Sequence, residues 1–338
     1  MKFLKKILLA AALILGGVAL FFVLIVGIIF VFPAKTAEKT AFGISFSKIQ
    51  TENLKLNWQE TFLAILDDLK VRNFRLASYW SEIEPQKNQF LWNDLDWQIN
   101  EVKKREGKII LVLGRKQFRW PECFIPEWAV NLPLEEQRKA VIEFIEKTVK
   151  RYKNEKTIWA WQVENEPLFP FGDCPERNKK FWDEEITKVR SLDNSRPIIT
   201  TDSGEFSFWL NAANRGDIFG TTLYRIVKNQ FIPGYLSYEF IPASFYQKKA
   251  NLILFLFPKL KNIIIIELQA EPWALVSVDP LEKQFQTMNL ERFKRTVNYA
   301  KEIGYPETYF WGAEWWYWLK TKHNQPEFWE AAKTVFNK

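Results

Sequence analysis

Two glutamates sit in contexts that could carry acid/base chemistry. Glu166 closes the run Trp161-Gln162-Val163-Glu164-Asn165-Glu166-Pro167, and Glu267 follows the apolar run Ile263 to Ile266 in Ile266-Glu267-Leu268-Gln269-Ala270-Glu271-Pro272-Trp273. A carboxylate pair facing across an aromatic-lined cleft can cleave an acetal: one protonates the leaving oxygen while the other attacks the anomeric carbon. The rest of the chain narrows the alternatives. Among 338 residues there is one histidine, His323, and two cysteines, which excludes multi-histidine zinc sites, cysteine-rich metal knuckles and histidine-pair proton relays. Acid/base work falls mainly to carboxylates, and no metal or cofactor is expected.

Such a pair needs rigid elements to hold it, and the chain offers them in a regular alternation. Apolar, strand-like runs occur at Ala41 to Phe46, Asn73 to Leu76, Lys108 to Leu113, Thr157 to Gln162, Pro197 to Thr201, Asp217 to Leu223, Asn262 to Glu267 and Thr308 to Trp311. Between them lie stretches with apolar residues three and four apart, such as Trp58 to Lys70, Asp94 to Glu106, Leu134 to Tyr152, Arg177 to Leu192 and Leu290 to Ile303. A less regular helix falls around Phe245 to Phe257. Runs apolar throughout, as at Ile263 to Ile266, suit strands covered on both faces. Length alone permits two domains, but eight β/α pairs predict one (β/α)8 TIM barrel over residues 34 to 338. In that fold function gathers at the carboxyl ends of the strands, where Glu166 and Glu267 fall.

The N-terminus has a different character. Ile7 to Phe32 is 26 residues without a charge or an Asn, Gln, Ser or Thr, and about 20 helical residues suffice to cross a bilayer core. Residues 1 to 33 are therefore expected to be a single-pass membrane anchor in contact with lipid through residues 7 to 32. A cleaved signal is the alternative, but its apolar core runs to roughly 7 to 15 residues and ends at a small-x-small site, which is missing here. Lys2, Lys5 and Lys6 before the span put residues 34 to 338 outside the cytoplasm by the positive-inside rule. The other basic residues are interspersed with acids, so the formal charge of +7 gives little support to nucleic-acid binding.

With these positions in view, the chain resembles the glycoside hydrolases of clan A, the 4/7 superfamily of cellulases, mannanases, xylanases and β-galactosidases, over most of residues 40 to 338. The resemblance rests on Asn165-Glu166-Pro167 ending the fourth strand and Glu267 ending the seventh. It implies that Glu166 is the acid/base and Glu267 the nucleophile of a retaining β-glycosidase acting on oligo- or polysaccharide. Arg75 in Phe74-Arg75-Leu76, Tyr224 after the sixth strand and Trp311 on the eighth resemble the family's residues around the cleaved sugar. The segments Tyr79 to Pro85 and Arg119-Trp120-Pro121-Glu122 resemble loops of the clan.

Physical roles follow. Asn165 suits the sugar 2-hydroxyl; Arg75 and the Tyr224 hydroxyl suit an ionised Glu267; Trp311, Trp315 and Trp316 offer flat faces to sugar rings. Glu271, four residues beyond Glu267, is the competing nucleophile, but a strand positions a side chain more rigidly than a loop does. Glu271 and Glu314 then bind sugar hydroxyls or serve loop structure, with Glu82, Glu84 and Glu122 weaker candidates. Cys123 and Cys174 follow neighbouring strands, and outside the cytoplasm an even count favours a disulfide over two free thiols. Two other functions share these features: a transglycosylase, and a non-catalytic carbohydrate-binding barrel, although the latter has no need of both glutamates.

Overall fold

The structure, a computed structural model, describes residues 2–31, 39–205, 207–228, 234–274 and 276–337. Eight parallel strands close into a barrel: Ala41–Phe46, Asn73–Ala77, Lys108–Leu113, Ile158–Val163, Ile198–Asp202, Ile218–Leu223, Asn262–Gln269 and Glu307–Trp311. These are called strands one to eight below. Each run expected from the sequence is a strand, with ends displaced by two residues at most. Strand eight pairs with strand one, Phe42 opposite Thr308, which completes the ring.

Helices fill the connections. Leu134–Tyr152 and Leu290–Ile303 have the expected bounds, whereas others are set by local chemistry that periodicity does not register. The helix expected from Arg177 begins at Lys179 because the Asn178 side chain accepts a hydrogen bond from Phe181 N at 3.0 Å. Those expected to run to Lys70 and Glu106 stop at Asp67 and Lys104, since Lys70 and Glu106 turn the chain with φ of 58° and 57°. The irregular segment near Phe245 is the helix Ala243–Leu256, preceded by a short antiparallel ribbon, Ile226–Lys228 with Tyr235–Ser237.

Strand alternation divides the core. Phe74, Leu76, Ile109, Leu111, Phe219 and Ile265 join the layer between sheet and helices, while Ile110, Ala160, Ile199, Ile218, Ile264, Ile266 and Tyr309 fill the barrel interior. Above that plug, towards the carboxyl ends, the interior turns polar with Arg75, Gln162, Thr201 and Thr222 buried. Strand seven breaks the alternation. Thr221 and Thr222, adjacent on strand six, face Ile265 and Glu267, and Thr308 and Phe310 on strand eight face Ile265 and Leu268. Both neighbours skip one residue, so strand seven carries a bulge at Ile266/Glu267, a device common at barrel rims.

Lys2–Val31 forms one helix. Among the described residues no helix is long and apolar enough to cross a membrane. The span expected over Ile7 to Phe32, and the boundary expected at residues 33 and 34, lie in part outside them.

Candidate active site

Arg75 organises the polar end of the barrel. Strand two points it inwards, fully buried, where Nε donates to Gln162 Oε1 at 2.8 Å, Nη1 to Glu267 Oε1 at 2.7 Å and Nη2 to Asn165 Oδ1 at 2.6 Å. The Phe118 ring lies 4.3 Å from the guanidinium carbon. Glu267 takes a second bond at its other oxygen from the Tyr224 hydroxyl, 2.9 Å away. Both contacts depend on the bulge: Ile264 and Ile266 already point inwards, so strict alternation would turn Glu267 towards the helices.

Glu166 reaches the same space by a different route. Strand four ends at Val163, and the backbone then takes positive φ at Glu164 (60°) and Glu166 (44°). Non-glycine residues rarely adopt such angles, and surrounding bonds must hold them there. Those bonds are Glu166 N to Thr201 Oγ1 at 2.8 Å, Asn165 N to Lys116 O at 2.7 Å, and the Lys116 ammonium on the Glu166 carbonyl at 2.9 Å. Thr222 donates to Glu166 Oε1 at 3.2 Å. Burial first, and the negative charge of Glu267 next, raise the Glu166 carboxyl well above the usual carboxylate range. Glu267, held by a cation and a hydroxyl, faces a group that keeps its proton. That division suits a proton donor beside a nucleophile.

Of the positions singled out in the sequence, Arg75, Asn165, Glu166, Tyr224 and Glu267 are thus brought together. Others are placed differently. Glu271 and Glu314 do not reach this cluster but flank Arg119, whose Nη1 binds Glu271 Oε1 and whose Nη2 lies 3.1 Å from Glu314 Oε2. Glu314 also accepts from Ser47 N at 2.6 Å and is fully buried, which closes it to a sugar. The Arg119 guanidinium lies over Trp311, 3.8 Å from the ring centroid, so one face of that indole is already covered. Trp315 and Trp316 are core residues rather than sugar platforms. Their helix, Ala313–Lys322, turns them inwards with no exposed surface, and their indoles donate at 2.7 Å to Gln284 Oε1 and Ala270 O. Glu84 accepts from Trp80 Nε1 and Asn88 N, both at 2.8 Å, and Glu82 pairs with Lys48 at 3.5 Å; both serve loop structure.

The aromatic surface lies elsewhere. Trp120, 60% exposed, meets Phe171 edge-on at 5.9 Å; Phe171 lies 6.2 Å from Trp273, and Trp273 5.4 Å from Tyr224. This arc leads from the loops after strands three and four to the cluster. Cys123 and Cys174 are joined by a disulfide that ties those two loops together. Glu122, next to Cys123, extends into the cluster, where its Oε2 accepts from Asn165 Nδ2 at 3.3 Å. Arg119, Glu122 and Trp120 had only the loop Arg119-Trp120-Pro121-Glu122 as a signal, and no periodicity separates such residues from loop polarity.

The family described as Cellulase (glycosyl hydrolase family 5) matches residues 35–268, more than half of the chain. Among solved structures, the GH5_18 protein of Streptomyces cattleya in complex with GlcNAc aligns with TM-score 0.57 and 9% identity, covering 82% of this chain and 71% of that one. A GH5_18 variant from Bifidobacterium longum subsp. longum in complex with Manβ1-4GlcNAc gives 0.59 and 12%, over 81% and 69%. A β-galactosidase from the haloarchaeon Halorubrum lacusprofundi gives 0.54 and 12% over 80% of this chain, but only 52% of that one. At these identities the likeness shows the barrel fold. Among curated proteins there is no match. The family match, more than the fold, decides: the chain belongs to glycosyl hydrolase family 5 and is a glycosidase of clan A.

Proposed function

We propose that this protein is a membrane-anchored, extracytoplasmic, retaining β-glycosidase working by double displacement. One observation carries the reading: the proton-holding Glu166 and the Arg75- and Tyr224-bound Glu267 face one another at the carboxyl end of one barrel. Glu267 attacks the anomeric carbon as the bond to the leaving oxygen breaks, and Glu166 gives that oxygen its proton. The resulting glycosyl ester on Glu267 is hydrolysed by a water that Glu166, now a carboxylate, deprotonates; the acid is thereby restored. Asn165, fixed through its Oδ1 by Arg75, donates one amide N–H to Glu122 Oε2 and keeps the other for the sugar 2-hydroxyl. The arc of Trp120, Phe171 and Trp273 supplies flat apolar faces to neighbouring sugars.

A screen of the full-length chain in detergent against aryl β-glycosides and β-linked oligosaccharides tests this. Manβ1-4GlcNAc, held by one of the structural neighbours, is a sensible first disaccharide. Net retention at the anomeric carbon, followed by NMR, supports double displacement, and inversion overturns it. Excess transfer to sugar acceptors over water would favour a transglycosylase.

The anchor rests on the 26 apolar residues from Ile7 to Phe32 behind three lysines. A disulfide between Cys123 and Cys174 supports an oxidising compartment. The chain should stay in the membrane fraction through an alkaline wash, with the barrel open to protease added outside the cell. Recovery of a mature protein beginning near residue 34 would replace the anchor with a cleaved signal.

A further inference from the structure

Glu122 is the third carboxyl of the cluster, and no cation comes close enough to form an ion pair with it among the described residues. It is 6% exposed, and its side-chain hydrogen bonding to the described protein is one contact, Asn165 Nδ2 to Oε2 at 3.3 Å. Glu166 keeps its proton, and four other buried acids nearby each have a cation or two backbone donors. Glu267 has Arg75 and Tyr224, Glu271 and Glu314 share Arg119, and Glu164 accepts from Arg115 N at 2.9 Å and Lys116 N at 2.5 Å. The Lys116 ammonium donates to the carbonyls of Glu166 and Phe169, so it attracts Glu122 through space without bonding to it. Among the described residues no ion pair includes Glu122.

Its direction is nonetheless enforced. The backbone is at φ 74°, with Glu122 N on Arg119 O and Gln117 N on Glu122 O, both at 2.7 Å. The next residue is clamped by the disulfide to the loop after strand four. Gly172 of that loop is packed so closely that a Cβ there would lie 2.4 Å from Glu122 Cβ. Burial pushes this carboxyl up to about 8, against the pull of the Lys116 ammonium and with the help of the Glu267 charge. Burying a carboxyl beside two others costs stability. A fold that fixes its direction and gives it a single side-chain hydrogen bond leaves its ligand to come from the cleft.

We infer that Glu122 is a specificity-determining residue that, with Asn165, frames the 2-substituent of the sugar whose bond is cleaved and requires a free hydrogen-bond donor there. Asn165 donates to that substituent, and Glu122, bonded to the same amide, accepts from it. A free hydroxyl or amine satisfies both, whereas an acylated amine adds bulk beside Glu122, whose loop is held by the disulfide and the close Gly172. This rests on the assignment of Glu166 and Glu267 as the catalytic pair, and adds the class of sugar accepted.

The test is a cycle between residue and substrate on the full-length protein. Aryl β-glycosides bearing a hydroxyl, a hydrogen or an acetamido group at C2 are compared in whichever ring series the wild type hydrolyses best, using wild type, Glu122→Gln and Glu122→Ala. Glu122→Ala should lower kcat/KM for the 2-hydroxy substrate about 10- to 100-fold, yet change the 2-deoxy substrate by less than about threefold. Glu122→Gln, which keeps the volume and the acceptor for Asn165, should recover part of that loss. The 2-acetamido substrate should be refused by the wild type. Equal losses on 2-hydroxy and 2-deoxy substrates, or efficient turnover of the acetamido one, overturn the inference. Wild type that cleaves no aryl glycoside overturns the catalytic assignment itself, a distinct result.

Discussion

Arg75 and Glu267 form a buried ion pair, Nη1 to Oε1 at 2.7 Å, with side-chain exposures of 0% and 5%. The same guanidinium holds Asn165 and Gln162, so one cation aligns the proposed nucleophile with the residue that addresses the sugar. Arg75→Lys keeps the charge but cannot serve three planar acceptors at once. It should lower kcat by about 10²- to 10³-fold, the loss typical of a single preorganised donor. Arg75→Met should also destabilise the barrel by about 3–5 kcal/mol, because Glu267 is left as an uncompensated buried charge. Steady-state kinetics and chemical denaturation separate the two effects.

The glutamates should differ by leaving group. Glu166→Gln ought to retain glycosylation of an activated aryl glycoside, which needs little protonation, while losing natural substrates. Glu267→Gln ought to lose both. Glu271→Gln should keep turnover, since Glu271 binds Arg119 rather than the Arg75 and Tyr224 pair that holds Glu267. A burst of aryl alcohol measured in each variant checks all three; a dead Glu271→Gln with an active Glu267→Gln would move the nucleophile.

Proton donation has a pH signature. Because burial and Glu267 raise Glu166, activity should persist above the ordinary carboxylate range and fall as pH climbs through the raised value. Glu267→Gln removes the negative neighbour, so Glu166 should then titrate lower. Carboxyl bands in pH-difference infrared spectra, with Glu166→Gln as the blank, show the shift directly.

Behind the site, Glu164 meets Glu185 of the helix Lys179–Leu192, and the two share a hydrogen bond. Burial is the main reason both carboxyls are raised, and for Glu185 the charge of Glu164 adds to it. An acid raised in the folded state contributes stability fully present below its unfolded value and lost as pH rises through the folded one. This pair should therefore pull the wild-type thermal midpoint down from about pH 4.5 upwards, where the unfolded chain ionises while the folded pair keeps its protons. Glu185→Gln can donate the same bond without titrating, and should flatten that decline while changing little at low pH. A steeper fall would reject this account.

The sequence by itself determined the eight strands, because each is a short apolar run between amphipathic stretches. It also placed Glu166, since Asn165-Glu166-Pro167 directly follows one such run. Only the tertiary structure decided what faces what. In strands buried on both sides the apolar pattern is continuous, so nothing in Ile263 to Ile266 tells inward from outward, and the bulge that turns Glu267 into the barrel is visible only against strands six and eight. The fates of the tryptophans and loop acids were likewise long-range matters. The sequence offers Trp315 and Trp316 as sugar platforms but helix packing buries them, and Glu271 and Glu314 are claimed by an arginine 152 and 195 residues away in the chain. Glu122 gained its place through a disulfide and a close glycine on another loop. Local sequence sets backbone preference and periodicity, whereas charge pairing and burial depend on partners that only folding brings within reach.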